Sequence, residues 1–273
     1  MEKDRRIGLI GCGSMGGAIA GGIISSRLIQ GAELSLYDIA ADKAKKLRER
    51  LNATLADSPS ELVNACGTVI LAVKPQDIEG LLRDIARELD SSKFVISIAA
   101  GVSIERIKSF IAKEVRVARA MPNIAALIGK GISALCYDEY VLAEDKALAR
   151  DIFGSLGAAA ELDEFLMNAV TAVSASGPAY FFYLAEILQK SAVDMGIDEK
   201  TAEKFIIHTV LGSAILLKDS GLKADELRRR VTSKGGTTEA AFRVFDEKNL
   251  GDILKAGIKE AAERAKKLNG GAR

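Results

Sequence analysis

The sequence predicts an α/β domain followed by an all-helical domain. Three observations carry this. Short β-type runs alternate with helical runs in the first part of the chain. No strand pattern follows residue 162. A Gly-rich turn joins the first strand pattern to the first helical one. Alternating strands and helices imply βαβ units around a parallel sheet. The expected division is 1–162 for the α/β part and 163–273 for the helical part.

Strand patterns cover 6–10, 33–38, 68–73, 93–98, 115–120 and 131–136. Val69-Ile-Leu-Ala-Val73 and Phe94-Val-Ile-Ser-Ile98 are nearly continuous apolar runs. Such runs suit strands covered on both faces. Helical patterns between them include Asp42–Leu51, Ser60–Ala65 and Asp77–Leu89. In the second part they run over 163–172, 178–195, 199–219, 238–247 and 250–268. Pro178 suits a helix start, because its fixed φ and missing N–H are tolerated in the first turn. Gly196 and Gly221 suit helix ends, where a left-handed residue is common.

Ile7–Ser26 carries no charge and follows Lys3, Arg5 and Arg6, as a targeting segment or membrane span would. Its seven glycines (8, 11, 13, 16, 17, 21, 22) make a poor apolar helix. Strand, tight turn and helix from Met15 to Ser25 give the better account, and no membrane association is expected.

Composition narrows the function classes. Lys plus Arg number 38 and Asp plus Glu 37, a net charge of +1. There is no global basic field for a nucleic acid. Cys12, Cys66 and Cys136 are odd in number and far apart, which fits neither a disulfide framework nor a zinc site. A reducing, cytoplasmic setting is expected. The lone histidine, His208, lies in a helical pattern and reads as a packing or surface imidazole, so no His-rich metal site is expected.

Gly11-Cys-Gly13-Ser-Met-Gly16 matches G-x-G-x-x-G between a strand and a helix, the context that gives this motif meaning. Gly11 permits the tight turn, Gly13 lets backbone approach a pyrophosphate, and Gly16 lets helix and strand pack closely. The amides at Ser14 and Met15 open the helix, whose positive end favours phosphate. This is a Rossmann-type dinucleotide-binding pattern. Asp38 ends the second strand 22 residues after Gly16, a spacing that suits the ribose hydroxyls. Its charge leans the cofactor from NADPH toward NADH, although Lys43 or Lys45 could turn inward. A strand-end cap is the other reading of Asp38. Ala72-Val73-Lys74-Pro75 and Ala99-Ala100-Gly101 follow two more strands, and Arg119-Ala-Met-Pro-Asn123 follows a third. In an open parallel sheet these turns line one crevice.

Val231-Thr-Ser-Lys-Gly-Gly-Thr-Thr-Glu239 breaks two helices with two glycines and four hydroxyl residues. A helix starting near Thr238 would present free amides to a small carboxylate. A capped interhelical turn explains the string equally well.

The Gly11–Gly16 turn, Ala72–Pro75, Ser97-Ile-Ala-Ala-Gly101, Arg119–Asn123, Ser176-Gly-Pro-Ala-Tyr180 and Ser233-x-Gly-Gly-Thr-Thr238 occur in the order found in pyrroline-5-carboxylate reductases. The chain resembles that family over nearly its whole length. The resemblance implies reduction of 1-pyrroline-5-carboxylate to L-proline by NADPH or NADH, the last step of proline synthesis. It implies a homodimer through the helical domain, often assembled into decamers, with the helical loop supplied by the partner subunit. Thr238 is then the catalytic hydroxyl at the ring nitrogen. Ser233, Gly236 and the Thr237–Thr238 amides hold the substrate carboxylate. Lys234 stands where the family usually has Pro, and Ile124-Ala125 where it usually has Thr-Pro.

The chemistry suits the residues. A protonated cyclic imine is already electrophilic, so orientation and a partner for nitrogen suffice. Alcohol oxidation needs a base, usually a well-placed His, Lys or Tyr. A 3-hydroxyacid dehydrogenase shares this domain plan, but none of the six asparagines has Lys four positions earlier, as its helical K-x-x-x-N requires. A protein that binds NAD(P)H without turnover is the remaining alternative.

Overall fold

The computed structural model describes residues 6–269; Lys3, Arg5 and the outer ends of both expected domains (1–5 and 270–273) lie outside them. The chain forms two compact units. One comprises the chain up to Ser176 together with the segment from Ala261, and the other is Gly177–Glu260. The expected division at 162/163 falls just after the last strand.

The first unit is built on eight strands: β1 (Ile7–Ile10), β2 (Leu34–Tyr37), β3 (Thr54–Leu55), β4 (Thr68–Leu71), β5 (Phe94–Ser97), β6 (Arg116–Pro122), β7 (Gly131–Tyr137) and β8 (Gly157–Glu161). Their order is β3-β2-β1-β4-β5-β6-β7-β8. All neighbours are parallel except β6 and β7. Order reverses at β1, which lies between β2 and β4. That reversal opens a crevice at the carboxyl ends of β1 and β4, where ligands bind in such sheets.

Helices cover both faces: α1 (Ser14–Ser25), α2 (Ala41–Leu51), α3 (Pro59–Ala65), α4 (Ile78–Ile85), α5 (Ile104–Lys108), α6 (Ala143–Gly154) and α7 (Met167–Val170), which runs on as a π-helical turn over Thr171–Ala175. Successive side chains of a strand point to opposite faces, and the core divides accordingly. Leu9, Ile70 and Ile96 pack with Ile19 and Ile23 of α1 and Phe153 of α6. Ile10, Leu71, Val95 and Val117 pack with Leu62 of α3 and Leu82 of α4. Each such fully buried side chain stabilises the fold by about 1.5–3 kcal/mol relative to exposure.

Two polar anchors tie this sheet to its helices. The Lys93 ammonium is buried and donates to the carbonyls of Val63 at 2.7 Å and Cys66 at 2.8 Å, closing the end of α3. Arg119, buried on β6, pairs with Glu164 at 2.6 Å, and the same carboxylate oxygen accepts the Ile104 N–H at 2.8 Å.

The second unit is helical: α8 (Gly177–Asp194), α9 (Glu199–Asp219), α10 (Ala224–Arg230), α11 (Thr237–Glu247) and the start of α12 (Leu250–Asn269). Gly196 (φ 96°) and Gly221 (φ 70°) follow α8 and α9 in the left-handed region, as the sequence predicts. Asp198 caps α9 by accepting the Thr201 N–H at 3.1 Å. Large apolar side chains lie open on α8 and α9: Phe181, Phe182, Tyr183 and Phe205 are each more than 60 % exposed.

The expected strands and the helices of the second unit are present. The structure also contains β3, β8, α5, α6 and α10, beyond the sequence patterns above. It also turns β7 antiparallel. Only eight residues separate β6 from β7, occupied by a 3-10 turn at Ile124–Ile128 and Gly129 at φ 66°. That is too short for a parallel crossover. No helix among the described residues is long and apolar enough to cross a membrane.

Candidate active site

β1 delivers the chain into Gly11, whose φ of 103° excludes most side chains. A Cβ at Gly11 would stand 2.5 Å from the Ala72 carbonyl oxygen, and one at Gly16 would stand 1.9 Å from the Gly11 carbonyl oxygen. Both glycines are therefore required by backbone packing. Gly13 is different. It caps α1 without any side-chain cap bond, and nothing lies within 4 Å of where its Cβ would be. Ser14 and Met15 follow in the first turn, whose N–H groups have no intrahelical acceptor. The turn is thus open on the side where a pyrophosphate would come closest, and it fits a dinucleotide.

Asp38 grips this turn. One carboxylate oxygen accepts the Cys12 N–H at 2.7 Å, and the other accepts the Ala40 N–H at 2.8 Å. The side chain therefore fastens the Gly-rich turn to the loop entering α2. Each oxygen keeps a lone pair for a ribose hydroxyl, so clamping and ribose binding are compatible. Burial, and then the neighbouring Asp38 charge, push the Cys12 thiol up to about 12.

The other strand ends gather on the same edge, because β1, β2, β4, β5 and β6 run parallel. The Ala72 N–H donates to the Ile10 carbonyl at 2.8 Å, setting the Ala72–Val73 turn against the Gly-rich turn. Lys74 is exposed and caps a 3-10 turn that begins at Pro75. Ala100 and Gly101 (φ 72°) follow β5. Asn123 follows β6 and closes the approach to β7: its N–H donates to the Ile132 carbonyl at 3.2 Å, and its side-chain oxygen accepts the Ile132 N–H at 3.3 Å. Arg119 in the same motif points instead to Glu164.

A groove of about 950 Å³ begins at Cys12–Ser14 and follows α1 between α2 and the Ile124–Ile128 turn. Lys43, Lys46 and Arg50 stand on its α2 wall; the Ala72–Pro75 and Ala100–Gly101 turns do not line it. The groove and the strand-end crevice therefore share only the Gly-rich turn.

The Ser233–Thr238 residues all lie in the second unit. Gly235 takes φ 73°, and Gly236 caps α11 without a side-chain cap bond. The Gly236 N–H donates to the Ser233 carbonyl at 3.0 Å, and the Gly235 N–H donates to the Glu239 carboxylate at 2.7 Å. The first intrahelical bond runs from the Ala240 N–H to the Gly236 carbonyl. The amides of Thr237 and Thr238 thus open the helix without intrahelical partners. Neither the Ser233 nor the Thr238 hydroxyl makes a hydrogen bond among the described residues. Two idle hydroxyls beside free helix-start amides can hold a carboxylate and address a neighbouring nitrogen. Glu239, an acid three residues after the cap, contributes through its bond to the Gly235 N–H, and that spacing is its signal in the sequence. His208 is exposed on α9 and makes no hydrogen bond among the described residues.

A family model for pyrroline-5-carboxylate reductase dimerisation matches residues 164–268, and one for coenzyme F420-dependent NADP oxidoreductases matches residues 6–101. The pyrroline-5-carboxylate reductase of Methanosarcina acetivorans is 34 % identical over 266 residues, 97 % of this chain and 98 % of its own. That of Escherichia coli K12 is 33 % identical over 97 % of this chain and 99 % of its own. Among solved structures, the pyrroline-5-carboxylate reductase of Coxiella burnetii superposes with a TM-score of 0.90 at 31 % identity, covering 96 % of this chain and 98 % of that one. The Plasmodium falciparum pyrroline carboxylate reductase with NADP bound gives 0.87 at 28 % identity, covering 98 % and 99 %. With a dinucleotide-type turn and likeness from end to end, the chain belongs to the pyrroline-5-carboxylate reductase family.

Proposed function

We infer that the protein reduces 1-pyrroline-5-carboxylate to L-proline with NADH or NADPH. The observation that carries the reading is the free start of α11, with two unoccupied hydroxyls, in a chain that matches its relatives over 97 % of its length. The reduced dinucleotide, when bound, supplies the hydride. Gly11, Gly13, Ser14, Met15 and Gly16 hold its pyrophosphate, Asp38 its ribose, and Ala72–Pro75, Ala100, Gly101 and Asn123 the remainder along the strand ends. Ser233, Gly236 and the Thr237–Thr238 amides hold the carboxylate. The Thr238 hydroxyl sits at the ring nitrogen and fixes the ring face that is attacked. No strong base is needed, because nitrogen gains a proton in the reaction.

The open aromatic residues on α8 and α9 support pairing of two copies through the helical unit. In this reading the loop meets the cofactor across that dimer, and dimers assemble into decamers in a reducing, cytoplasmic setting. Three buried free thiols fit that setting.

The test is a purified-protein assay with the cyclic imine and each reduced cofactor. L-Proline should form with at least one of them. Cofactor binding without proline formation would leave a non-catalytic binder, and oxidation of a 3-hydroxyacid instead would replace the assignment.

A further inference from the structure

The substrate loop is spanned by a contact between the helices on either side of it. On α10, three consecutive arginines differ in their partners. Arg229 pairs with Asp225 at 3.1 Å and Arg230 with Glu226 at 3.0 Å, each one helical turn back. Arg228 has no acidic partner among the described residues. Its guanidinium lies over the Phe242 ring of α11, 5.2 Å from the centroid, within the range of a cation–π contact. Its carbonyl accepts the Thr232 hydroxyl at 2.7 Å. One residue therefore holds the exit of α10 through its backbone and the body of α11 through its side chain.

The placement of Phe242 gives this contact its meaning. Phe242 follows Thr238 by four positions on α11, so the two share a helix face. An edge-on contact with Phe245, centroids 5.8 Å apart, steadies its ring. Between Arg228 and Phe242 lie Ser233, Lys234, Gly235 and Gly236. The glycine pair has no side chains to brace it, and nothing lies within 4 Å of a Cβ at Gly235. A span that fixes the loop's two ends limits how far Ser233 can move from the Thr237–Thr238 amides.

We propose that Arg228 is a positioning residue for the substrate loop, acting through Phe242 and Thr232 to hold the carboxylate-binding groups at a fixed separation. This rests on the reading of Ser233–Thr238 as the substrate loop. Arg228 touches no reacting atom, so its effect falls on substrate affinity and not on the hydride step.

The experiment measures steady-state kinetics of the full-length protein with 1-pyrroline-5-carboxylate. Arg228→Ala should raise the imine KM about two- to fivefold, the equivalent of one exposed cation–π contact. The kcat and the cofactor KM should hold. Phe242→Leu keeps bulk and removes the ring; it should act similarly, and the double variant should be no worse than either single one. Arg228→Lys keeps a cation and should recover most of the affinity. An unchanged KM in Arg228→Ala, or additive losses in the double variant, would overturn the proposal while the enzymatic reading stands. Absence of turnover in the unsubstituted protein would overturn both.

Discussion

Two Gly-rich segments in this molecule each lead into a helix capped by a glycine without a side-chain cap bond, Gly13 in one and Gly236 in the other. They differ in what surrounds them. The Gly11–Gly16 turn is packed against the Ala72 backbone just after β4 and against its own Gly11 carbonyl, and it is clamped by Asp38. The Ser233–Thr238 loop has open space at Gly235, and the nearest neighbour of a Cβ at Gly236 would be the Ser233 hydroxyl. The first is preorganised by the sheet, so it can present amides at no cost when a dinucleotide arrives. The second is set by local bonds and by its two flanking helices. A methyl at the packed Gly11 or Gly16 should therefore damage fold and cofactor binding together. A defect in the second should be confined to substrate.

The widest gap should come from matched glycine substitutions. Gly16→Ala drives a methyl into a carbonyl oxygen that cannot move aside. It should destabilise the protein by about 1–3 kcal/mol or more, lower the melting temperature and abolish measurable cofactor binding. Gly236→Ala meets the Ser233 hydroxyl, which can rotate away, and the Ser233 carbonyl oxygen at 3.1 Å, which belongs to a loop with room to give. It should melt like the parent and lose imine affinity. Gly13→Ala, with open space around it, should also fold normally yet weaken the dinucleotide at least about tenfold, near 1.4 kcal/mol. Equal melting temperatures for Gly16→Ala and Gly236→Ala would break the comparison.

Thr238→Ala comes next. Gly236, not Thr238, is the cap, so the melting temperature should hold. Loss of one hydrogen bond worth about 1.5–3 kcal/mol to a charged partner should lower kcat/KM roughly 10- to 100-fold. Thr238→Ser should recover much of that, and cofactor dissociation constants should not move. Full activity in the folded Ala variant would remove this hydroxyl from the reaction.

A smaller shift is expected from Asp38→Asn, which removes a charge while keeping one oxygen for the Cys12 N–H. The ratio of kcat/KM for NADPH to that for NADH should rise by about fivefold, near 1 kcal/mol. An unchanged ratio would leave Asp38 with its clamping role alone.

Least consequential for catalysis, but diagnostic of the contrast, is thiol labelling. Burial pushes Cys12 and Cys136 up to about 12 and Cys66 to about 11. All three remain protonated below that range, so native protein should resist alkylation at pH 8. A Ser233→Cys variant in the open loop should label at the rate of an ordinary thiol. Fast labelling of Cys12 by mass spectrometry would show that the turn is looser than its packing indicates.

These contrasts also explain what the sequence discloses. The Gly-rich turn, Asp38 and the apolar strands are legible because their chemistry is local: a positive φ, a spacing, a nearly continuous apolar run. β8 is not. Gly157-Ala-Ala-Ala-Glu161 contains no β-branched residue, and only its parallel register with β7, Gly131 opposite Gly157, makes it a strand. β3 is two residues long and exists by pairing with β2. By contrast, α6 carries a readable helix signal in Ala143–Gly154, with Asp145 accepting the Leu142 N–H at 3.0 Å. The direction of β7 follows from the short 123–130 connection. The four loop residues in the second unit could be named, but the idleness of their hydroxyls could not, because it depends on which partners the fold withholds.

The buried ammonium of Lys93 has a consequence for the order in which the molecule comes apart. α3 ends at Cys66 with φ −120°, without the left-handed glycine that closes α8 and α9. Its last carbonyls are satisfied by a residue 27 to 30 positions later, at the foot of β5. The end of this helix is therefore not an independent local structure. Release of β5 from β4 withdraws the ammonium and leaves those carbonyls unpaired in the same event. Helix end and central strand should then open as one cooperative unit, with amides that exchange together and later than those of α9, whose ends are closed by neighbours in the chain.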